Sequence, residues 1–198
     1  MKKTFAFCLL LSVMIGFQSC KKEVKNPEKK QATLTNIDLK WTAYKTTDKV
    51  GVSGTFKEIN TSNLDGANIQ EIVDGTEFSI PVSSVFTNLE DRDNKLKQFF
   101  FGVMETTSLL SGTIKVTDTN NAVATIKMNN ATADLPLKMS ITDTEVSLKG
   151  IMNLEDWNAL GAIESINKAC FELHKGSDGV SKTWNDVAIQ ISYTVEMN

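Results

Sequence analysis

Apolar and polar residues alternate along most of this chain. A β-strand sends successive side chains to opposite faces, so a half-buried strand reads apolar, polar, apolar. The C-terminus shows it best: Val187, Ile189, Ile191, Tyr193, Val195 and Met197 share one phase, and polar residues dominate the other. Leu135, Leu137, Met139 and Ile141 alternate with Asp134, Pro136, Lys138 and Ser140. Val50, Val52 and Phe56 keep phase around Gly54, as do Phe78, Ile80 and Val82. Further strands are predicted at 37–45, 112–117, 122–128, 144–152 and 168–175, separated by turn-forming clusters such as Thr117–Asn121. Eight or nine closely spaced strands predict one antiparallel domain, a barrel or a sandwich.

Two stretches break the alternation. Thr87, Asn88, Leu89 and Glu90 have the form of a capping box, in which Thr87 and Glu90 would satisfy each other's free amides. Glu90, Asp91 and Asp93 suit the positive end of a helix, and Lys95 and Lys97 its later turns. Leu89, Leu96, Phe99 and Phe100 supply an apolar stripe, so a helix is predicted over about 88–100. A second helical turn is predicted from Leu154 to Leu160, opening at Asn153.

The N-terminus belongs to a different class of sequence. Met1-Lys2-Lys3 is a short positive segment, and Thr4–Phe17 is apolar over the length of a secretory signal. Ser19-Cys20 closes it in a way that resembles a bacterial lipoprotein signal, with Cys20 receiving the lipid. An ordinary cleaved signal with a chance cysteine is the alternative. Residues 20–35 are polar and Lys-rich and read as a lipidated cysteine and flexible tether, leaving 36–198 as the folded domain. The tether lysines could also touch anionic headgroups. No aspartate follows Cys20, so the expected destination is the outer membrane, facing the periplasm.

Composition narrows the function. The 198 residues are 41% hydrophobic and 23% charged, with a net charge of -3, which fits a globular body and disfavours nucleic acid as partner. Three cysteines and one histidine leave little for disulfides, zinc or histidine catalysis, so no enzymatic role is expected. Cys170, Glu172 and His174 would share one face of the 168–175 strand, but Ala169, Phe171 and Leu173 mark the other face as buried, so the trio should look outward. Its ends would lie roughly 13–14 Å apart, too far for one metal ion, and no metal or catalytic site is assigned. Glu90, Asp91 and Asp93 need only helix capping to explain them, and no carboxylate partner faces them.

The order of the elements carries a resemblance. Two strands, the second bearing Gly54-Thr55-Phe56, precede a strand reading Phe78-Ser79-Ile80-Pro81-Val82-Ser83-Ser84-Val85. Thr87 and a helix with Arg92-Asp93 and Leu96 follow, then a run of strands. This resembles the YceI-like polyisoprenoid-binding family over about 36–198. The chain has Lys95 where the family helix usually carries histidine, and Met104-Glu105-Thr106-Thr107 where a tyrosine-proline stretch is usual. The resemblance implies an all-β fold with one helix, an eight-stranded antiparallel lipocalin-like β-barrel around an apolar cavity. It implies a small hydrophobic ligand, an isoprenoid quinone or polyprenyl lipid, with no other cofactor, and it allows a homodimer. Trp41, Phe56, Phe78, Phe101 and Met139 are the expected ligand-binding residues, being large and on apolar faces. The competing reading is an envelope interaction protein whose barrel is filled by its own side chains.

Overall fold

A computed structural model of the chain describes residues 28–198. The expected signal at 1–19, Cys20 and the lysines at 21, 22 and 25 lie outside the described residues.

The long strands are β1 (Lys30–Lys45), β2 (Val50–Phe56), β5 (Glu77–Pro81), β7 (Leu109–Asp118), β8 (Asn121–Met128), β9 (Ala131–Thr142), β10 (Glu145–Asn153) and β11 (Thr183–Met197). Short strands β3 (Asn60–Ser62), β4 (Asp65–Gly66) and β6 (Val85–Phe86) fill the gaps. All pairings are antiparallel, in the order β3-β5-β7-β8-β9-β10-β11-β1-β2-β6, with β4 on β1. Eleven strands are thus present among the described residues, where the sequence predicted eight or nine. The sheet curls into a barrel-like wall. Residues 77–86 touch both of its margins: β5 pairs with β7, and after a one-turn 3-10 segment β6 pairs with β2.

The alternation held where each strand keeps one phase. In β9, Leu135, Leu137 and Met139 are buried and their neighbours exposed. In β1 the phase changes. Ala32 and Leu34 face inward, then Ile37, Leu39, Trp41 and Ala43, because the register with β11 shifts between Thr35 and Asp38, where Asn36 adopts φ 52. One extra residue at a bulge flips every later side chain to the other face. That break hid residues 30–35, which belong to the sheet rather than to the tether.

The strand predicted over 168–175 is absent. Helix α3 (Leu160–Ala169) runs into a 3-10 turn at Phe171–His174. The burial is the reverse of that expected: Cys170 is buried, whereas Phe171 and Leu173 are 49% and 58% exposed. The missed signal was helical spacing, since Ala159, Ala162, Ile163, Ile166 and Cys170 recur every three or four residues and face the body.

The other helices cap the two ends of the wall. Helix α1 (Ile69–Val73) covers one end, with Ile72 and Val73 fully buried. Asn68 caps it by accepting from the Glu71 N–H at 3.0 Å. Helix α2 (Glu90–Lys95) lies at the other end with the turn at Leu154–Trp157 and α3. Asn153 opens that turn as expected, accepting from the Glu155 N–H. The capping box before α2 does not form: Leu89 occupies the cap position without a side-chain bond. Thr87 instead donates its N–H and hydroxyl to one oxygen of buried Asp93, at 2.8 and 2.6 Å.

Candidate functional site

The inward faces leave an elongated cavity of about 400 Å³. Along β11 its wall runs from Trp184 through Val187, Ile189 and Ile191 to Tyr193, about 30 Å of strand at the usual rise of ~3.3 Å per residue. So small a volume over such a length makes a slender tube, suited to one extended chain. The lining is overwhelmingly aliphatic and aromatic, as expected where alternating strands turn their apolar faces to one axis.

Four of the five residues expected to bind ligand lie on this wall: Trp41, Phe56, Phe78 and Phe101. Met139 does not. It shares the inward face of Leu135 and Leu137 but sits at the next inward position along β9, opposite Leu148, where its side chain is packed among buried neighbours and is 4% exposed. Phe99 and Met104 are off the wall as well, and Phe171 is on the outer surface.

The helical cap reaches the wall through a change of helix type. After α2 the chain makes a π turn over Leu96–Phe100, in which the Phe101 N–H returns to the Leu96 carbonyl five residues back. The wider turn puts Leu96, Phe100 and Phe101 on the cavity and leaves Phe99 off it. Phe100 and Phe101 meet edge to face with centroids 4.9 Å apart, and Phe56 tilts against Phe101 at 6.3 Å. Sequence reasoning missed Phe100 as a wall residue because a 3.6-residue period cannot anticipate a five-residue turn.

Charged groups gather at the end near α2. Lys45, Asp91, Arg92 and Lys95 are the charged residues of the described wall, beside Leu89, Leu173, His174 and Trp184. Asp91 pairs with Lys95 at 2.6 Å, and the Lys45 ammonium donates to the Leu173 carbonyl at 2.8 Å. Burial pushes the Cys170 thiol up, while nearby Lys95 and Lys45 pull it down. His174 is pushed down to about 4 by burial and by Lys45, so its ring is neutral at pH 7. The Thr183 hydroxyl donates to Asn167 Oδ1 and therefore accepts from His174 Nδ1–H, at 2.7 Å. Glu172 pairs with Lys175. Glu172 and His174 thus have separate partners while Cys170 is a free, buried thiol, and no metal-holding group of three occurs among the described residues.

At the opposite end the wall is closed by α1 and by fully buried Val146 and Val195. Tyr193 stands here, 6% exposed, with its hydroxyl unpartnered.

Comparison with known proteins places this architecture. A polyisoprenoid binding domain from Saccharophagus degradans superposes with TM-score 0.60 at 14% identity, covering 85% of this chain and 99% of that one. Burkholderia cenocepacia BcnA gives TM-score 0.51 at 14% identity, over 80% and 96% of the two chains. A Campylobacter jejuni YCEI protein gives 0.52 at 18% identity, over 75% and 86%. At these identities the likeness is one of fold. No curated protein matches by sequence. The family profile of the YceI-like domain matches residues 26–195, nearly all of the sheet and its caps, and the chain belongs to the YceI-like domain family.

Proposed function

We propose that this protein is a lipid-anchored, non-catalytic binding protein of the cell envelope that holds an isoprenoid or similar amphiphilic lipid. The observation that carries the reading is the tube itself: about 400 Å³, slender and apolar along its length, with the exposed Leu89 and Leu173 on its wall at the α2 end. Each methylene of a chain drawn from water into such a wall contributes on the order of 0.8 kcal/mol. Affinity of this kind needs no charged partner, and a polyprenyl lipid or the tail of an isoprenoid quinone fits it chemically. The polyisoprenoid binding domain among the structural relatives supports the same choice. A barrel wholly filled by its own side chains finds less support, because about 400 Å³ stays open between the apolar walls.

The envelope location rests on the N-terminal sequence, in which Lys2, Lys3, the apolar run and Ser19-Cys20 resemble a lipoprotein signal. The anchor would be at Cys20, at the outer membrane and facing the periplasm. Native mass spectrometry of the full-chain protein, released from membranes under gentle conditions, tests the ligand. One equivalent of a co-purified apolar molecule is expected. A protein that arrives empty, and stays empty after incubation with polyprenyl lipid, overturns the reading.

A further inference from the structure

Two polar residues, Thr76 and Tyr193, line the tube near α1; the Thr76 hydroxyl donates to the Ile72 carbonyl at 2.6 Å, whereas that of Tyr193 is left over. The Tyr193 side chain lies on the cavity wall, it is 6% exposed, and its hydroxyl has no hydrogen-bond partner. The Thr46 hydroxyl is also buried and unpartnered, but it sits in the turn after β1, off the cavity wall. A buried hydroxyl without a partner is costly, and a phenylalanine would fill the same space without that cost. Tyr193 is held firmly: it pairs with Val146 across the ladder, and Val146 and Val195 are fully buried. The ring therefore cannot swing its hydroxyl to solvent without unpacking this end.

We propose that Tyr193 donates a hydrogen bond to an acceptor oxygen of the bound lipid, so that the ligand enters with a neutral carbonyl or ether at its leading end. This rests on the binding function proposed above and specifies its ligand. Burial raises the phenol above its ordinary range, which keeps it protonated and a donor. An ionised head would be excluded here, because the charged side chains of the wall all lie at the opposite, α2 end. The aliphatic remainder of the ligand then occupies the tube toward Trp41 and Phe101, and any second polar group emerges among Lys45, Arg92 and Lys95.

The test uses the full-chain protein, a fluorescent apolar probe and two competitors. One is farnesylacetone, a polyprenyl chain ending in a ketone. The other is the same chain with the carbonyl reduced to methylene. Wild type is expected to bind the ketone more tightly. Tyr193→Phe is expected to weaken the ketone about three- to tenfold while leaving the hydrocarbon unchanged, since only one hydrogen bond is removed. The substitution removes no packing, and its melting temperature in the absence of ligand should equal or exceed that of wild type. Equal responses of the two competitors to Tyr193→Phe, including no response, overturn this inference and leave the binding function standing. Failure of both competitors to displace the probe from wild type overturns the two together.

Discussion

Trp41 lies across the bare backbone of Gly54, its direct partner in the β1–β2 ladder, and donates its indole N–H to the Thr55 carbonyl at 3.3 Å. A Cβ at Gly54 would collide with the indole ring and come within 2.9 Å of the Phe86 carbonyl. The same arrangement recurs across the sheet, where Phe78 faces Gly112 and a Cβ there would lie 2.8 Å from Phe78 Cζ. Two large aromatic walls of the cavity thus rest on glycines opposite them. Gly54→Ala is expected to cost about 1–3 kcal/mol, because the ring must leave its place. Chemical denaturation measures it, with tryptophan fluorescence reporting the displaced indole. Unchanged stability and emission would show that the ring has room to spare.

Phe56 and Trp157 separate wall from core. Phe56 is half-buried on the cavity, whereas Trp157 is fully buried and donates its indole N–H to the Ile126 carbonyl at 2.8 Å. Trp157→Ala is expected to lose about 3–5 kcal/mol. Phe56→Ala, which enlarges an existing space, should lose clearly less and should alter lipid retention. Thermal melts beside a quinone-analogue titration compare them. Equal losses in the two variants, with no change in ligand response, would mean that Phe56 is ordinary core.

The Thr87–Asp93 clip sets where α2 begins. Asp93→Ala strands the Thr87 N–H and hydroxyl, and should cost about 1.5–3 kcal/mol, the range for hydrogen bonds to a charged group. Asp93→Asn keeps an acceptor oxygen and should lose less. Urea unfolding of both variants checks the order; a larger loss in Asn than in Ala would contradict the geometry.

Acid stability should depend on His174. Its folded value of about 4 lies below the usual 6.5, so between these values the unfolded chain binds the proton more readily. This contribution to stability is therefore complete above pH 6.5 and is lost as the pH falls toward 4. His174→Gln should flatten the stability profile within that window. A profile with the same slope in wild type and variant refutes the assignment.

Anchoring at Cys20 is checked in cells. Cys20→Ala should move the protein from the membrane fraction to the soluble envelope fraction. A variant that sediments with membranes as firmly as wild type would rule the lipid out.

Much of the sheet was legible because alternation is a local property. Val187 to Met197 and Leu135 to Ile141 each declare an inner face through residue type alone, and the structure keeps those faces. Arg92-Asp93 and Gly54-Thr55-Phe56 carried the family for the same reason. The misreadings share one cause, a local pattern overruled by contacts distant in sequence. Ala169, Phe171 and Leu173 alternate like a strand, yet no neighbouring strand was available, and the helix that buries Ile166 and Cys170 carried that segment into a 3-10 turn.

That the chain buries alternating faces in one antiparallel sheet follows from residue order alone, since strand periodicity needs only neighbouring residues. Residue order also supplied four aromatic wall residues by size and phase. Which inward side chains meet empty space and which meet each other depends on the folded sheet as a whole. Met139 and Tyr193 show the difference: both carry inward phase and both are buried, but only Tyr193 lies on the cavity wall, its hydroxyl unpartnered. Phase tells a side chain which side of a sheet to take, while cavity and core are set by how far apart the opposite walls stand. That separation comes from the curl of the whole sheet and the helices that cap it, and no short stretch of sequence encodes it.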